Sequence, residues 1–391
     1  MKKFFYKLSI LIVVISLFCS LLIVTSGCKK VEKKAIIMLP GIMGSVLYDA
    51  DTNEPLWLVN SLGSDFPIAL NNILSNIDKI MLDENGESDY NLRPANMNDT
   101  EGFYSILQLF KPLYNQLVEQ YSNEYDIIIW QYDWRVSCEE SSAKLETYIN
   151  DEGYEKVIFV THSMGGNVVS DYIARSETNK AKIELFVPVC APFFGSMQAY
   201  DFLYEGMLAQ YGFATITKEL GMNLPSVYLL SPSSNLLNAP EYSEGESMIY
   251  LDNIALSYDE INTFFLNQDF AKKQDDTLKY AFANKESYLA KQMVELNGEM
   301  VHISRTINTK YVQGTGLNTI KSFNIKTSDN TVNSITYTDG DCVVSIYSGT
   351  AGMDLSSPDV FLIDGPDHIT IMEYDETVST VMSIVADYIG K

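Results

Sequence analysis

Lys156 to Gly166 reads KVIFVTHSMGG, and the reading of this stretch decides the fold. Val157, Ile158, Phe159 and Val160 form a short continuous apolar run, the pattern of a strand buried on both faces. Downstream, Val168, Val169, Tyr172 and Ile173 recur at three- and four-residue spacing, which predicts a helix. Between them, Thr161-His162-Ser163-Met164-Gly165 matches the nucleophile elbow G-x-S-x-G with its first glycine replaced. A serine hydroxyl is a poor nucleophile until it is held clear of the sheet, beside a base and at a helix N-terminus. Backbone N–H groups and the helix dipole there favour a developing oxyanion. Ser163 is therefore the candidate nucleophile.

Working outward, Lys34 to Ser45, KAIIMLPGIMGS, reads as a strand running into a tight turn at Pro40-Gly41. A loop so close to a strand end is where an α/β hydrolase keeps its second oxyanion donor. Asp65 to Leu82 has helical spacing, and residues 83–89 form a turn whose glycine is misplaced for a calcium loop, so no metal and no cofactor are predicted. Phe103 to Tyr121 predicts an amphipathic helix, Asp126 to Trp130 a buried strand, and Ser142 to Asn150 a helix leading into the elbow strand. Ile183 to Val189 is the next strand. Strand and helix alternating in this way imply an α/β fold, a mostly parallel central sheet with helices on both faces.

From about 197 to 309 the pattern changes. The segment is rich in Tyr, Phe, Met and Leu, shows helices near 202–211, 258–272 and 287–297, and no evident buried parallel strand. Placed directly after the strand beyond the elbow, it reads as a large helical cap insertion. Sheet order resumes at Tyr311-Val312, residues 321–337 read as a hairpin around Ser328-Asp329-Asn330, and Thr377 to Tyr388 is a closing helix.

Acidic residues outnumber basic ones by 51 to 27 and the formal charge is -24, which excludes nucleic acid as a partner and electrostatic capture by anionic lipid. The N-terminus supplies a different means of attachment. Lys2, Lys3 and Lys7 precede an apolar stretch, Leu8 to Val24, that ends in Thr25-Ser26-Gly27-Cys28. Residues 1–27 read as a signal peptide, and the small residues before Cys28 resemble the lipobox of bacterial lipoproteins, whose cysteine is lipidated after cleavage. An uncleaved anchor helix is the alternative. Residues 28–35 then form a tether and 36–391 the folded domain, exported and held at the outer face of a bacterial membrane. Cys138, Cys190 and Cys342 remain, odd in number and without metal-ligand spacing, so that one disulfide with a free thiol and three buried thiols are both open, the second being favoured.

An activated serine needs a base, and the chain has three histidines. His162 belongs to the elbow, with its side chain expected to point away from Ser163. His302, in Val301-His302-Ile303, reads as a strand or core histidine. His368, in a polar loop before the last helix, stands where this fold delivers its base. The orienting acid falls between serine and histidine in chain order. Asp341 meets that condition at the head of an apolar run, with Asp339, Asp364 and Asp367 as competitors whose plain reading is turn formation. Asp133-Trp134-Arg135 reads as an Arg–Asp pair bracing a strand end, with a reach into the active site as the alternative, and the stripe Phe202, Leu203, Met207, Leu208 and Tyr211 as core of the cap, with a mobile lid that binds membrane as the alternative.

Taken together, LPGIMGS at 39–45, the Trp57 region, QYDWR at 131–135, THSMGG at 161–166, APFFGS at 191–196, PSVYLLSPS at 225–233, YVQGTG at 311–316, DGDCVV at 339–344 and DHITIM at 367–372 resemble the lecithin:cholesterol acyltransferase family in order and across nearly the whole mature chain. The resemblance implies an α/β-hydrolase fold with Ser163 as nucleophile, Asp341 as acid, His368 as base, and the backbone N–H groups of Ile42 and Met164 as the oxyanion hole. It implies acyl transfer from a glycerolipid ester to the serine, then to water or to an alcohol. It also suggests that Trp57 lines an acyl pocket or touches lipid, with core packing as the other reading. A carboxylesterase for small soluble esters and a non-catalytic lipid-binding surface lipoprotein are the competing functions.

Overall fold

A computed structural model describes residues 32–57, 75–83, 87–97, 107–206, 220–267 and 285–390. The readings on residues 1–31, including the signal peptide and Cys28, lie outside them, as do those on residues 65–74 and on Met207, Leu208 and Tyr211. No helix among the described residues is long and apolar enough to cross a membrane.

Six strands build the central sheet: β1 (Lys34–Leu39), β2 (Asp126–Ile129), β3 (Lys156–His162), β4 (Ile183–Val189), β5 (Tyr311–Thr315) and β6 (Val360–Asp364). Their spatial order is β6-β5-β4-β3-β1-β2, and every pairing is parallel. Continuous apolar runs are what such strands require, because helices cover both faces. In β1 the five residues Ala35 to Leu39 are all 0% exposed, each large side chain contributing roughly 1.5–3 kcal/mol by leaving water.

The alternation of side chains along these strands sorts the core into two layers. On one face, Ile37, Phe159 and Ile128 pack with Leu145 and Ile149 of α2 (Cys138–Asp151) and with Val168, Val169 and Tyr172 of α3 (Met164–Arg175). On the other, Met38, Val160 and Ile129 pack with Phe110, Leu113 and Leu117 of α1 (Leu107–Tyr121) and with Val378, Val381 and Val385 of α4 (Asp375–Ile389). Helix α2 begins where Ser137 caps it, its hydroxyl accepting from the Glu140 N–H at 3.1 Å. This is the predicted α/β-hydrolase architecture.

The insertion after β4 departs from expectation in two places. Residues 285–292 are helical, but Met293–Leu296 is a strand that pairs antiparallel with Glu299–His302. The turn between them is Asn297-Gly298, both at positive φ (55° and 88°), the strongest short hairpin signal, and it overrules the helical spacing read across 287–297. The insertion also holds a parallel strand that its sequence does not advertise. Ile249–Leu251 pairs with Leu317–Lys326, the first arm of a hairpin with Thr331–Gly340 that runs longer than 321–337 on both sides. Three residues are too few to show a period. Helices Met197–Tyr204 and Tyr258–Leu266 stand near the predicted positions.

Cys138, Cys190 and Cys342 are all free thiols, but only the first two are buried. Cys342 faces solvent from the turn after Asp341, where its φ of 78° swings it outward.

Candidate active site

Ser163 sits in the turn from β3 to α3 with φ 52° and ψ −128°, a backbone conformation that costs of order 1–3 kcal/mol and persists only where the surroundings over-determine it. Its N–H donates to Val189 O at 2.9 Å, and its carbonyl accepts from the Gly166 N–H at 2.9 Å. Close approach is secured by glycines. A Cβ at Gly41 would stand 2.7 Å from Ser163 Cβ, and one at Gly165 would stand 2.7 Å from Leu39 O and 2.8 Å from Pro40 O. Gly166 is needed for a further close approach, a Cβ there standing 2.4 Å from Ala191 Cβ.

Two hydrogen bonds link three residues that are distant in sequence. His368 Nε2 lies 2.9 Å from Ser163 Oγ, and His368 Nδ1 lies 2.7 Å from Asp341 Oδ2. Network logic assigns the proton to Nδ1, leaving Nε2 to accept from the serine hydroxyl. The other carboxylate oxygen of Asp341 accepts from the N–H groups of Val343 (2.9 Å) and Val344 (2.6 Å), and the His368 N–H donates to the Asp341 carbonyl at 2.9 Å. Ser163, Asp341 and His368 are 5%, 0% and 8% exposed. Burial alone would raise the Asp341 pKa, but the His368 ring and these hydrogen bonds outweigh it and hold the carboxyl below its ordinary range.

Several motifs turn out to support the acid. A Cβ at Gly314 would lie 2.8 Å from Asp341 Cβ, so the glycine of YVQGTG admits the acid to the end of β5. Ser196 of APFFGS donates to Val343 O, and the Ser348 hydroxyl donates to Gly195 O at 2.7 Å. Cys190, which sequence reading left without a role, brings its Sγ within 4.8 Å of the Asp341 and His368 ligand atoms. Burial and the carboxylate beside it push that thiol well up, so it stays protonated.

The competing acids do turn work. Asp367 Oδ1 accepts from the N–H groups of Ile369 and Thr370 at 2.9 and 3.1 Å, Asp339 accepts from the Gly316 N–H at 2.7 Å, and Asp364 is exposed. His302 is the core histidine expected, with Nδ1 2.8 Å from Ser304 Oγ and Nε2 3.2 Å from Gln292 Oε1. Asp133 and Arg135 form a two-pronged pair (2.9 and 2.8 Å) with Arg135 also donating to Ile80 O. His162 Nδ1 makes no hydrogen bond among the described residues, but the ring is not idle. Its Nε2 lies 2.8 Å from the His368 carbonyl, and its ring packs against that of His368 at 4.7 Å. The elbow thereby holds the loop that carries the imidazole.

Trp57 is core rather than lipid-facing, at 2% exposure, and its indole N–H donates to Met43 O at 2.9 Å. Ile42 and Met164 flank the serine from the Pro40–Ser45 loop and the first turn of α3. Among the described residues neither backbone N–H has a hydrogen-bond partner, as expected of a first helical residue for Met164.

Burial lowers His162 and His302 from 6.5 to about 3, with the charge of His368 adding to the effect on His162 and that of Arg305 on His302. Between pH 6.5 and 3 the unfolded chain therefore binds protons that the folded chain does not, and stability falls as pH falls through that window. Stability measured by urea unfolding between pH 7 and 5 is expected to drop toward acid, the limiting slope being about 1.4 kcal/mol per pH unit for each such histidine. In His302→Gln the drop becomes shallower, and an unchanged slope would refute the assignment.

The lecithin:cholesterol acyltransferase family model matches residues 67–372 of the 391. Among solved structures, the chain is similar to one from the Tle4–Tli4 complex, with a TM-score of 0.63 at 14% identity over 91% of this chain and 99% of that one, a likeness in fold. The mature lipase BlEst2 of Bacillus licheniformis aligns at 14% identity and a TM-score of 0.36, over 91% of this chain and 93% of that one. Lipase 1 from Pelosinus fermentans aligns at 13% identity and 0.37, over 91% and 98%. A comparison with curated proteins returns no match. On the extent of the family match, this chain belongs to the lecithin:cholesterol acyltransferase family.

Proposed function

We propose that the protein is a serine acylhydrolase or O-acyltransferase acting on glycerolipid esters through an acyl-enzyme at Ser163. The observation that carries this reading is the unbroken hydrogen-bond chain from Asp341 through His368 to the Ser163 hydroxyl. In the first step Ser163 Oγ attacks the ester carbonyl carbon while His368 Nε2 takes the hydroxyl proton, and Asp341 steadies the resulting imidazolium. The carbonyl oxygen becomes an oxyanion that the Ile42 and Met164 N–H groups receive. Collapse breaks the ester C–O bond, and the leaving alkoxide takes the proton from His368. Water or an alcohol then repeats the sequence on the acyl-enzyme, releasing a fatty acid or a new ester. No metal or cofactor enters these steps.

Family membership supports the lipid ester. The deciding experiment incubates the protein with emulsified long-chain phospholipid, with and without diacylglycerol or sterol, and identifies products by mass spectrometry. Fatty acid alone means hydrolase, and a new ester formed only with the added alcohol means acyltransferase. Turnover confined to short p-nitrophenyl esters would sink the lipid assignment.

The same reading makes the protein an exported lipoprotein, lipidated at Cys28 and facing lipid from the outer side of a bacterial membrane. Metabolic labelling with a palmitate analogue should tag the wild type and not Cys28→Ala, and equal labelling of both would reject the anchor.

A further inference from the structure

The loop Pro40–Ser45 is gripped from behind by buried aromatic donors. Tyr132 Oη–H donates to Pro40 O at 2.7 Å, Trp57 Nε1–H to Met43 O at 2.9 Å, and Trp134 Nε1–H to Ser45 O at 3.0 Å. The three side chains are 2%, 2% and 0% exposed. The two indoles also pack on each other, with centroids 4.9 Å apart. Buried indoles and phenols need acceptors, and here all three find theirs on carbonyls of one six-residue loop, at Pro40, Met43 and Ser45.

Within the loop, the Gly44 N–H donates to Gly41 O at 3.1 Å, closing a turn whose third residue, Met43, has φ 63°. Glycine or asparagine is usual at such a position, and a methionine there is held against strain. Peptide planarity turns these bonds into a relay. The Trp57 indole fixes the Met43–Gly44 peptide by its carbonyl. The N–H of that same peptide fixes the Gly41–Ile42 peptide by its carbonyl. In a trans peptide the N–H points opposite to the carbonyl, so the Ile42 N–H is aimed away from the turn. Tyr132 fixes the preceding peptide, Pro40–Gly41, beside Ser163. Trp134 acts outside the turn, on Ser45.

We propose that Trp57 and Tyr132 are positioning residues that aim the Ile42 N–H at the oxyanion formed on the ester bound at Ser163, with Trp134 supporting the fold alone. The inference rests on the function proposed above. An oxyanion donor contributes fully only when oriented before the reaction, so loosening the relay should lower kcat and leave ground-state binding alone.

The test compares Tyr132→Phe, Trp57→Phe and Trp134→Phe with wild type in ester turnover, fluorophosphonate labelling rate and thermal melting. Tyr132→Phe deletes one oxygen and keeps the ring. Expected are roughly tenfold losses of kcat in Tyr132→Phe and Trp57→Phe with KM within about twofold. The labelling rate should fall in parallel, because the phosphonyl oxygen uses the same hole. Trp134→Phe should lose less than about threefold in kcat although its melting temperature falls at least as far. Losses of kcat that track melting temperature across all three variants would make the role structural and overturn the proposal. Labelled wild type with Tyr132→Phe and Trp57→Phe at its rate would overturn this inference alone, whereas wild type that takes no label would overturn the function as well.

Discussion

Ser163→Ala protein takes no fluorophosphonate label and loses turnover by about six orders of magnitude, the scale seen when the nucleophile of a serine triad is removed. The expectation follows from Ser163 Oγ standing 2.9 Å from His368 Nε2 on a backbone strained enough to need a reason (φ 52°). Truncation deletes one oxygen and leaves the bonds from Ser163 N–H to Val189 O and from the Gly166 N–H to Ser163 O intact, so the variant should fold. Its melting temperature is the control. Label retained in folded Ser163→Ala would mean that another nucleophile reacts, and the proposed mechanism would fall.

The second large effect is a loss of about 10⁴ in kcat in Asp341→Asn with little change in KM. Asparagine can still accept from the Val343 and Val344 N–H groups through its oxygen. Its amide nitrogen then faces His368 Nδ1, where the carboxylate now stands at 2.7 Å. An N–H there demands a lone pair on Nδ1 and moves the imidazole proton to Nε2, so the ring presents a proton to Ser163 rather than a base. Kinetics measured beside near-native melting would identify a tautomer defect. A variant within tenfold of wild type would return the acid role to one of the neighbouring aspartates.

Why the site was so legible in sequence is a matter of how each residue is held. Ser163 is positioned by local chemistry, an apolar strand, small residues and an amphipathic helix in one continuous stretch. Asp341 and His368 follow in the chain order that this fold imposes on a serine, and both stand at turns beside apolar runs. The supports were another matter. Nothing about Trp57 or Tyr132 in sequence says that an indole and a phenol reach carbonyls 14 and 92 positions away. The same holds for Cys190 beside Asp341. The hairpin at Asn297-Gly298 was readable, but helical spacing in the flanking residues masked it.

The sequence alone determined the strands and helices of the central sheet, the elbow with its candidate nucleophile, and a short list of candidates for the acid and the base. These depend on periodicity, turn chemistry and chain order, all of which are local or ordinal. Only the tertiary structure decided which peptide planes are locked, which glycines let the Pro40 loop approach the elbow, and which of the four aspartates meets the imidazole. Those depend on distances between segments far apart in the chain, set when six parallel strands stack their carboxyl ends side by side and bring Pro40, Ser163, Asp341 and His368 to one edge.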